Sequence, residues 1–397
     1  MRLWLGLVGC VRAGLALIAV AGWVSVLPVT PDAFYRAPDT MPARPGVLLR
    51  QEPFDRALPP GARAWRILYT TTSAIGAITV ASAIVMIAAD APAGPRPVVA
   101  WMHGTTGVAP GCAPSLLPDP FANVPALREL LAAGWIYVGT DYVGLGTTGP
   151  HPYFIGVGEA WSALDSVRAA RQMAGLQAGD RTVAWGHSQG GHAALWTAIE
   201  APRYAPDIPL GGVAALAPVS DVPALYETQQ ASLIGRIISA FVLRTYGDTY
   251  GDVSFADYVH PWLLPLAHDM ARRCLTGRGG LLSVYEAKAA GGTIFAIPPE
   301  TGALGKHMRD NIPDQRMPEP LLIAQGLADE LILPDTQEHF VEKLCAAGQA
   351  LEYRRYAGRD HLGLVAPGSP LIADLMRWSR SRLAGDPPPP GCRQSTN

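Results

Sequence analysis

A chain of 397 residues has room for one large domain or two ordinary ones. Apolar residues make up 49% and charged residues 16%, a balance that builds a large core and excludes a disordered chain. The formal net charge of −2 leaves no basic footprint for a nucleic acid.

The first stretch differs from the rest. An apolar run reaches Leu27, interrupted by Arg12, preceded by Arg2, and free of acidic residues before Asp32. Residues 13–20 are uninterrupted, and Ala19-Val20-Ala21 offers the small side chains a signal peptidase reads. This predicts a secretory signal over residues 1–21, cut after Ala21. The alternative is an uncleaved membrane anchor reaching about residue 27. A lipoprotein-like box ending at Cys10 sits too near the start to serve as one. Residues 31–60 are rich in proline and predict an irregular leader.

Two strand-like runs follow, at 64–71 and 78–88, and predict an antiparallel hairpin at one edge of a sheet. A regular alternation then begins: strand 98–102, helix 122–133, strand 135–140, helix 158–173, strand 182–185, helix 193–199, strand 212–216. Strands alternating with helices predict an α/β fold, a mostly parallel sheet covered on both faces. At Asp221 the rhythm breaks, and to about Arg316 the chain reads as helical, as in "SLIGRIISAFVLRTY". It resumes with strands at 321–324 and 351–356. The expected organisation is a core of residues 22–220 and 317–397 with a helical cap, 221–316, inserted over the strand ends. Large apolar residues of the cap, such as Phe241 and Leu243, are expected to wall an apolar pocket.

Of five cysteines, Cys10 falls in the leader. Cys112, Cys274, Cys345 and Cys392 remain, an even count that in an exported chain predicts two disulfides and leaves their connectivity open. No CxxC or clustered-histidine spacing supports a zinc site, and no metal is expected.

The chemistry centres on "TVAWGHSQGGHAALW", residues 182–196. An apolar strand runs into Gly186-His187-Ser188-Gln189-Gly190 and out into a helix-forming stretch. The two glycines let strand and helix approach around a sharp turn, which leaves the Ser188 hydroxyl exposed at its apex. The helix behind it aims free N–H groups at the same point. Such a serine needs a base and a carboxylate to orient that base, in the chain order Ser, Asp or Glu, His. With nine histidines available, position must decide. His361 lies in the loop after the last predicted strand and Asp329 in the loop after the one before it. Both loops open at the end of the sheet that carries Ser188. Asp335 is the runner-up acid and Asp360 a weaker one. His187 and His192 lie too close to the turn to act as its base and read as packing or pocket-wall residues. The backbone N–H of Gln189 and that of Thr105, in "HGTTG", are the expected oxyanion donors. In "TDYVGLGTTGPHPYFIGVGEA", Asp141 and Tyr142 read as a structural loop. Glu159 and Asp165 read as carboxylates at a helix start, where they complement the dipole.

Taken together and in order, "HGTTG…CAPS", "TDYVGLG", "LDSVRAAR" and "GHSQGG" resemble the secretory lipase family of α/β-hydrolases, the fungal lipase A type and its actinobacterial relatives. The similarity runs from about Phe34 to Cys392. It implies the α/β-hydrolase fold, a triad of Ser188, Asp329 and His361, an inserted helical cap and hydrolysis of carboxylic esters. It also implies that Cys112 pairs with Cys274 and Cys345 with Cys392.

The expected function is that of an exported serine esterase or lipase that needs no metal or organic cofactor. Its expected partners are an ester or lipid substrate and a membrane or lipid surface, with no nucleic acid and no oligomeric state assigned. An acyltransferase or a serine peptidase would use the same triad. A non-catalytic binding protein on the same fold is the alternative from another class.

Overall fold

The structure is a computed structural model that describes residues 26–397; the predicted signal over 1–21 lies outside the described residues. Short runs that are apolar on both faces, such as "VVAWM" and "LLIAQG", can only be satisfied inside a sheet covered on both sides. They form the middle of a sheet built from β1 (Leu48–Phe54), β2 (Ala62–Thr72), β3 (Ile78–Ala88), β4 (Arg96–Met102), β5 (Ile136–Thr140), β6 (Ala178–His187), β7 (Leu210–Leu216), β8 (Leu321–Gly326), β9 (Leu351–Tyr356) and β10 (Cys392–Thr396). Their spatial order is β1-β2-β3-β5-β4-β6-β7-β8-β9-β10. The first three strands and β5 pair antiparallel. From β5 to β10 every pairing is parallel.

The core helices are α1 (Leu127–Ala132), α2 (Gly156–Arg171) and α3 (Gln189–Tyr204). Between β7 and β8 the chain forms a helical insertion: α4 (Val222–Gln229), α5 (Leu233–Thr249), α6 (Phe255–Tyr258), α7 (Leu264–Ala271), α8 (Gly277–Ala290) and α9 (Gly302–Asp310). Then come α10 (Pro334–Ala346) and α11 (Pro370–Ala384). One face of the sheet is packed by Leu164 of α2, Leu195 of α3 and Val341 of α10. The other is packed by Leu130 of α1 and Leu375 of α11. The insertion has an apolar core of its own, with Ile237, Phe241, Tyr246 and Met270 at its centre. Asp221 caps α4 through the Ala224 N–H, and Ser232 caps α5 through the Gly235 N–H.

Both disulfides join the cysteines that the family resemblance implied. Cys112 meets Cys274 with Cα atoms 5.2 Å apart, tying the loop after β4 to the insertion. Cys345 meets Cys392 at 5.4 Å, tying α10 to β10. Among the described residues no helix is long and apolar enough to cross a membrane.

The structure departs from the sequence reading in several places. The leader is not wholly irregular: β1 runs along its second half, hidden because it is a polar edge strand with only Phe54 buried. An edge position also tolerates Pro53. The helix expected over 122–133 starts only at Leu127, because Pro125 lacks an N–H and Ala126 turns left-handed at φ 53°. The helix expected over 193–199 begins directly after Ser188 and runs to Tyr204. Asp165 sits in the middle of α2, fully buried, where its carboxylate accepts from the Thr71 and Tyr204 hydroxyls and from Arg168.

Candidate active site

β6 ends in the tightest turn of the site. Ser188 adopts φ 59° and ψ −118°, a region that costs a non-glycine residue of order 1–3 kcal/mol and persists only where the surroundings impose it. The glycines on either side allow it. A Cβ on Gly186 would overlap the Gly190 carbonyl, and one on Gly190 would overlap the Met102 carbonyl of β4. The Ser188 N–H donates to the Leu216 carbonyl at 2.9 Å, and its own carbonyl accepts from the Val219 N–H at 3.3 Å. The serine is thereby clamped between the ends of β6 and β7.

Three side chains from three loops meet here. The Ser188 hydroxyl donates to His361 Nε2 at 2.9 Å. His361 Nδ1–H donates to Asp329 Oδ2 at 2.8 Å. The second Asp329 oxygen accepts from the Leu331 and Ile332 N–H groups at 2.9 and 2.8 Å, and Gln325 donates to Oδ2 at 3.3 Å. A carboxylate held by that many donors stays where it is put, which fixes the tautomer and the plane of the imidazole. Neither of the other candidate acids bonds to His361 among the described residues. Asp335 is exposed in the first turn of α10, and Asp360 accepts from the Gly363 N–H.

The two N–H groups expected to face a developing oxyanion, those of Gln189 and Thr105, are free of backbone acceptors among the described residues. Gln189 opens α3, whose dipole adds to its N–H. The loop after β4 lies tight against the turn, since a Cβ on Gly104 would sit 3.5 Å from the Ser188 Cβ. Thr105 is held by its hydroxyl, 2.8 Å from that of the buried Tyr153.

Beneath the serine lies a polar network that sequence reasoning passed over. Glu159, fully buried at the start of α2, accepts from the Gln189 side-chain amide at 2.8 Å and from His192 Nδ1–H at 3.0 Å. His192 Nε2–H donates to the Asn311 carbonyl at 2.9 Å, just past the end of α9. Both ring nitrogens of His192 therefore face acceptors. The only signal in the sequence was a carboxylate and a histidine of apolar surroundings, each near its own helix start. His187 is buried and donates Nε2–H to the His361 carbonyl at 2.9 Å. Burial holds its pKa well below the usual histidine range, and the neighbouring His361 adds to this. Burial likewise lowers His103 to about 4 and His151 to about 3. The Asp141 carboxylate is consumed by the Ser82 and Ser115 hydroxyls, each at 2.6 Å, as a loop pin away from His361.

Ser188 and His361 open into a cleft of about 1000 Å³. Leu225, Ile234 and Ile238 of the insertion line it, together with Leu331 and Ile332. Phe241 and Leu243 do not. They are turned into the core of the insertion, 1% and 0% exposed, with Phe241 edge-on to Tyr153. On α5 the i, i+4 pair Ile234 and Ile238 faces the cleft instead. Among the described residues no group of three or more His, Cys, Asp or Glu side chains is placed to hold a metal ion.

Known proteins resemble this chain in sequence and in fold. A family model described as "Secretory lipase" matches residues 122–391. The chain is 27% identical to "Lipase A" of Arthroderma benhamiae over 93% of its length and 83% of that protein's. It is 26% identical to a Mycobacterium tuberculosis protein named "Probable inactive lipase MT1628", over 91% and 84% of the two chains. In three dimensions it resembles Candida antarctica lipase A with a TM-score of 0.76 at 18% identity, over 92% of this chain and 89% of the other, a likeness of fold. The chain belongs to the secretory lipase family and is a carboxylic ester hydrolase of the α/β-hydrolase fold.

Proposed function

We propose that the chain is an exported serine hydrolase that cleaves esters of apolar carboxylic acids through an acyl-enzyme on Ser188. The reading is carried by one observation: a continuous hydrogen-bonded line from the Ser188 hydroxyl through His361 to Asp329, at the floor of a cleft walled by aliphatic side chains. As the Ser188 oxygen attacks the ester carbonyl, His361 Nε2 takes its proton, and Asp329 stabilises the imidazolium. The carbonyl oxygen gains negative charge against the Gln189 and Thr105 N–H groups. His361 then returns the proton to the departing alcohol, leaving the acyl group on Ser188. Water, deprotonated by His361, releases the acid and restores the serine.

The insertion over 221–316 acts in this scheme as a cap, with Leu225, Ile234 and Ile238 as the wall against the acyl chain. Its outer surface carries Trp262, Leu281 and Tyr285 at 70%, 73% and 70% exposure, which suits work against a lipid surface. A stopped-flow assay with p-nitrophenyl esters tests the acyl-enzyme. Catalysis through it gives a burst of p-nitrophenol equal to the enzyme concentration wherever deacylation is the slower step. No release above the background hydrolysis from any ester in the series would overturn the proposal.

A further inference from the structure

The strand order explains the insertion and the loops around Ser188, yet one wall of the cleft comes from none of them. Val26, Leu27, Pro28 and Val29 line the same cavity as Ser188. The predicted cut after Ala21 would leave these residues on the mature chain. Two glycines make room for them. A Cβ on Gly111 would collide with the Val29 carbonyl and lie 2.6 Å from the Pro28 Cβ. A Cβ on Gly279 would lie 2.8 Å from the Val26 carbonyl. Gly111 directly precedes Cys112, and Gly279 lies in the first turn of α8 just beyond Cys274. The disulfide between Cys112 and Cys274 thus joins the two seats that the segment crosses.

Among the described residues the segment is held by packing of this kind. Among the described residues no hydrogen bond ties the main chain of residues 26–29 to the rest of the protein. Leu27 is 36% exposed and Val29 55%, so each shows part of its surface to the cleft and part to water. A strap packed on backbone, with no hydrogen bonds and a half-wet surface, belongs to the low-stability end of a fold.

We propose that residues 26–29 form a displaceable wall that determines specificity, limiting the length of apolar chain the cleft accepts, in addition to the wall supplied by Leu225, Ile234 and Ile238 of the cap. The loop that seats Val29 continues into Leu116, Leu117 and Val124, which also line the cavity. An apolar chain leaving Ser188 in that direction runs along these residues and ends against the strap. The proposal rests on the reading of Ser188 as the nucleophile.

The test uses the full chain in four forms: wild type, Gly111→Ala, the double variant Leu27→Ala with Val29→Ala, and Ser188→Ala. Each is assayed on p-nitrophenyl esters of increasing acyl length and on acetate esters of increasingly long alcohols. The expected result is a rise in the ratio of long-chain to short-chain kcat/KM in one of the two series. Each newly admitted methylene should add about fourfold. Gly111→Ala drives the Val29 carbonyl off its seat and should move the ratio in the same direction as the double variant. If Gly111→Ala fails to fold, the double variant carries the test alone. Profiles that superimpose on wild type in both series, with Ser188→Ala inactive, overturn the strap and leave the nucleophile standing. Wild-type turnover by Ser188→Ala overturns the nucleophile itself.

Discussion

His187 Nε2–H reaches the main-chain carbonyl of His361 at 2.9 Å, and the two rings lie with centroids 4.6 Å apart. The residue just before the proposed nucleophile thus grips the proposed base from behind. Because burial holds the His187 pKa well below the usual histidine range, it does this without placing a charge beside the imidazolium that the proposed mechanism forms. His187→Leu removes the donor and keeps the bulk. We expect kcat to fall by about 10- to 100-fold with KM nearly unchanged, as for a small misplacement of a reacting group. The acid limb of the kcat/KM–pH profile should shift as well. His187→Gln, whose amide can donate to the same carbonyl, should recover part of the loss. A Leu variant with the wild-type pH profile would reduce His187 to packing.

The Glu159–His192 pair ties α2, α3 and the end of the insertion together under the serine. Removing one partner of a buried pair leaves the other uncompensated. Glu159→Ala should therefore cost about 3–5 kcal/mol in unfolding free energy, read by denaturant titration. A cost below about 1 kcal/mol would mean that water or local rearrangement replaces the carboxylate.

Glu319, just ahead of β8, gives a test with a fixed sign. Burial raises its pKa to about 7, against an ordinary value of 4.5, and its Oε2 has no hydrogen-bond partner among the described residues. With the folded pKa above the unfolded one, the folded state binds the extra proton between those values, so stability is lost as pH rises towards 7. Glu319→Gln should stabilise the protein by about 2–3 kcal/mol at pH 8, and the gain should shrink as pH falls to about 4.5. A gain independent of pH would contradict this.

Within the insertion, pocket wall and core can be told apart. Ile238→Ala should shift the acyl-length optimum, because Ile238 lines the cleft. Phe241→Ala should cost about 3–5 kcal/mol of stability, as for other buried aromatics, with the ratio of long- to short-ester turnover unchanged. Identical chain-length profiles for Ile238→Ala and wild type would move acyl selection to the loops of the core.

The parts of this protein that are legible from sequence are those where one local constraint dominates. The central strands must be apolar on both faces, and the turn at Ser188 must have Gly186 and Gly190, so both stand out. Asp329 and His361 follow from chain order once the strands are placed. The edge strands β1 and β10 escape because water solvates one side of each and removes the pattern. Phe241 and Leu243 are read as pocket wall because helical periodicity says which residues share a face, and does not say whether that face meets a cleft or a core. The Glu159–His192–Asn311 network joins three elements far apart in sequence, and only tertiary packing brings them together.

The central claim is that Ser188 is the nucleophile, and a fluorophosphonate probe tests it most directly. After labelling of the native full chain, peptide mass spectrometry should find one adduct, on Ser188. Ser188→Ala should lose both the adduct and ester hydrolysis, by about three decades or more in kcat, with an unchanged circular dichroism spectrum. An adduct on another residue, or near-wild-type turnover by Ser188→Ala, would contradict the account.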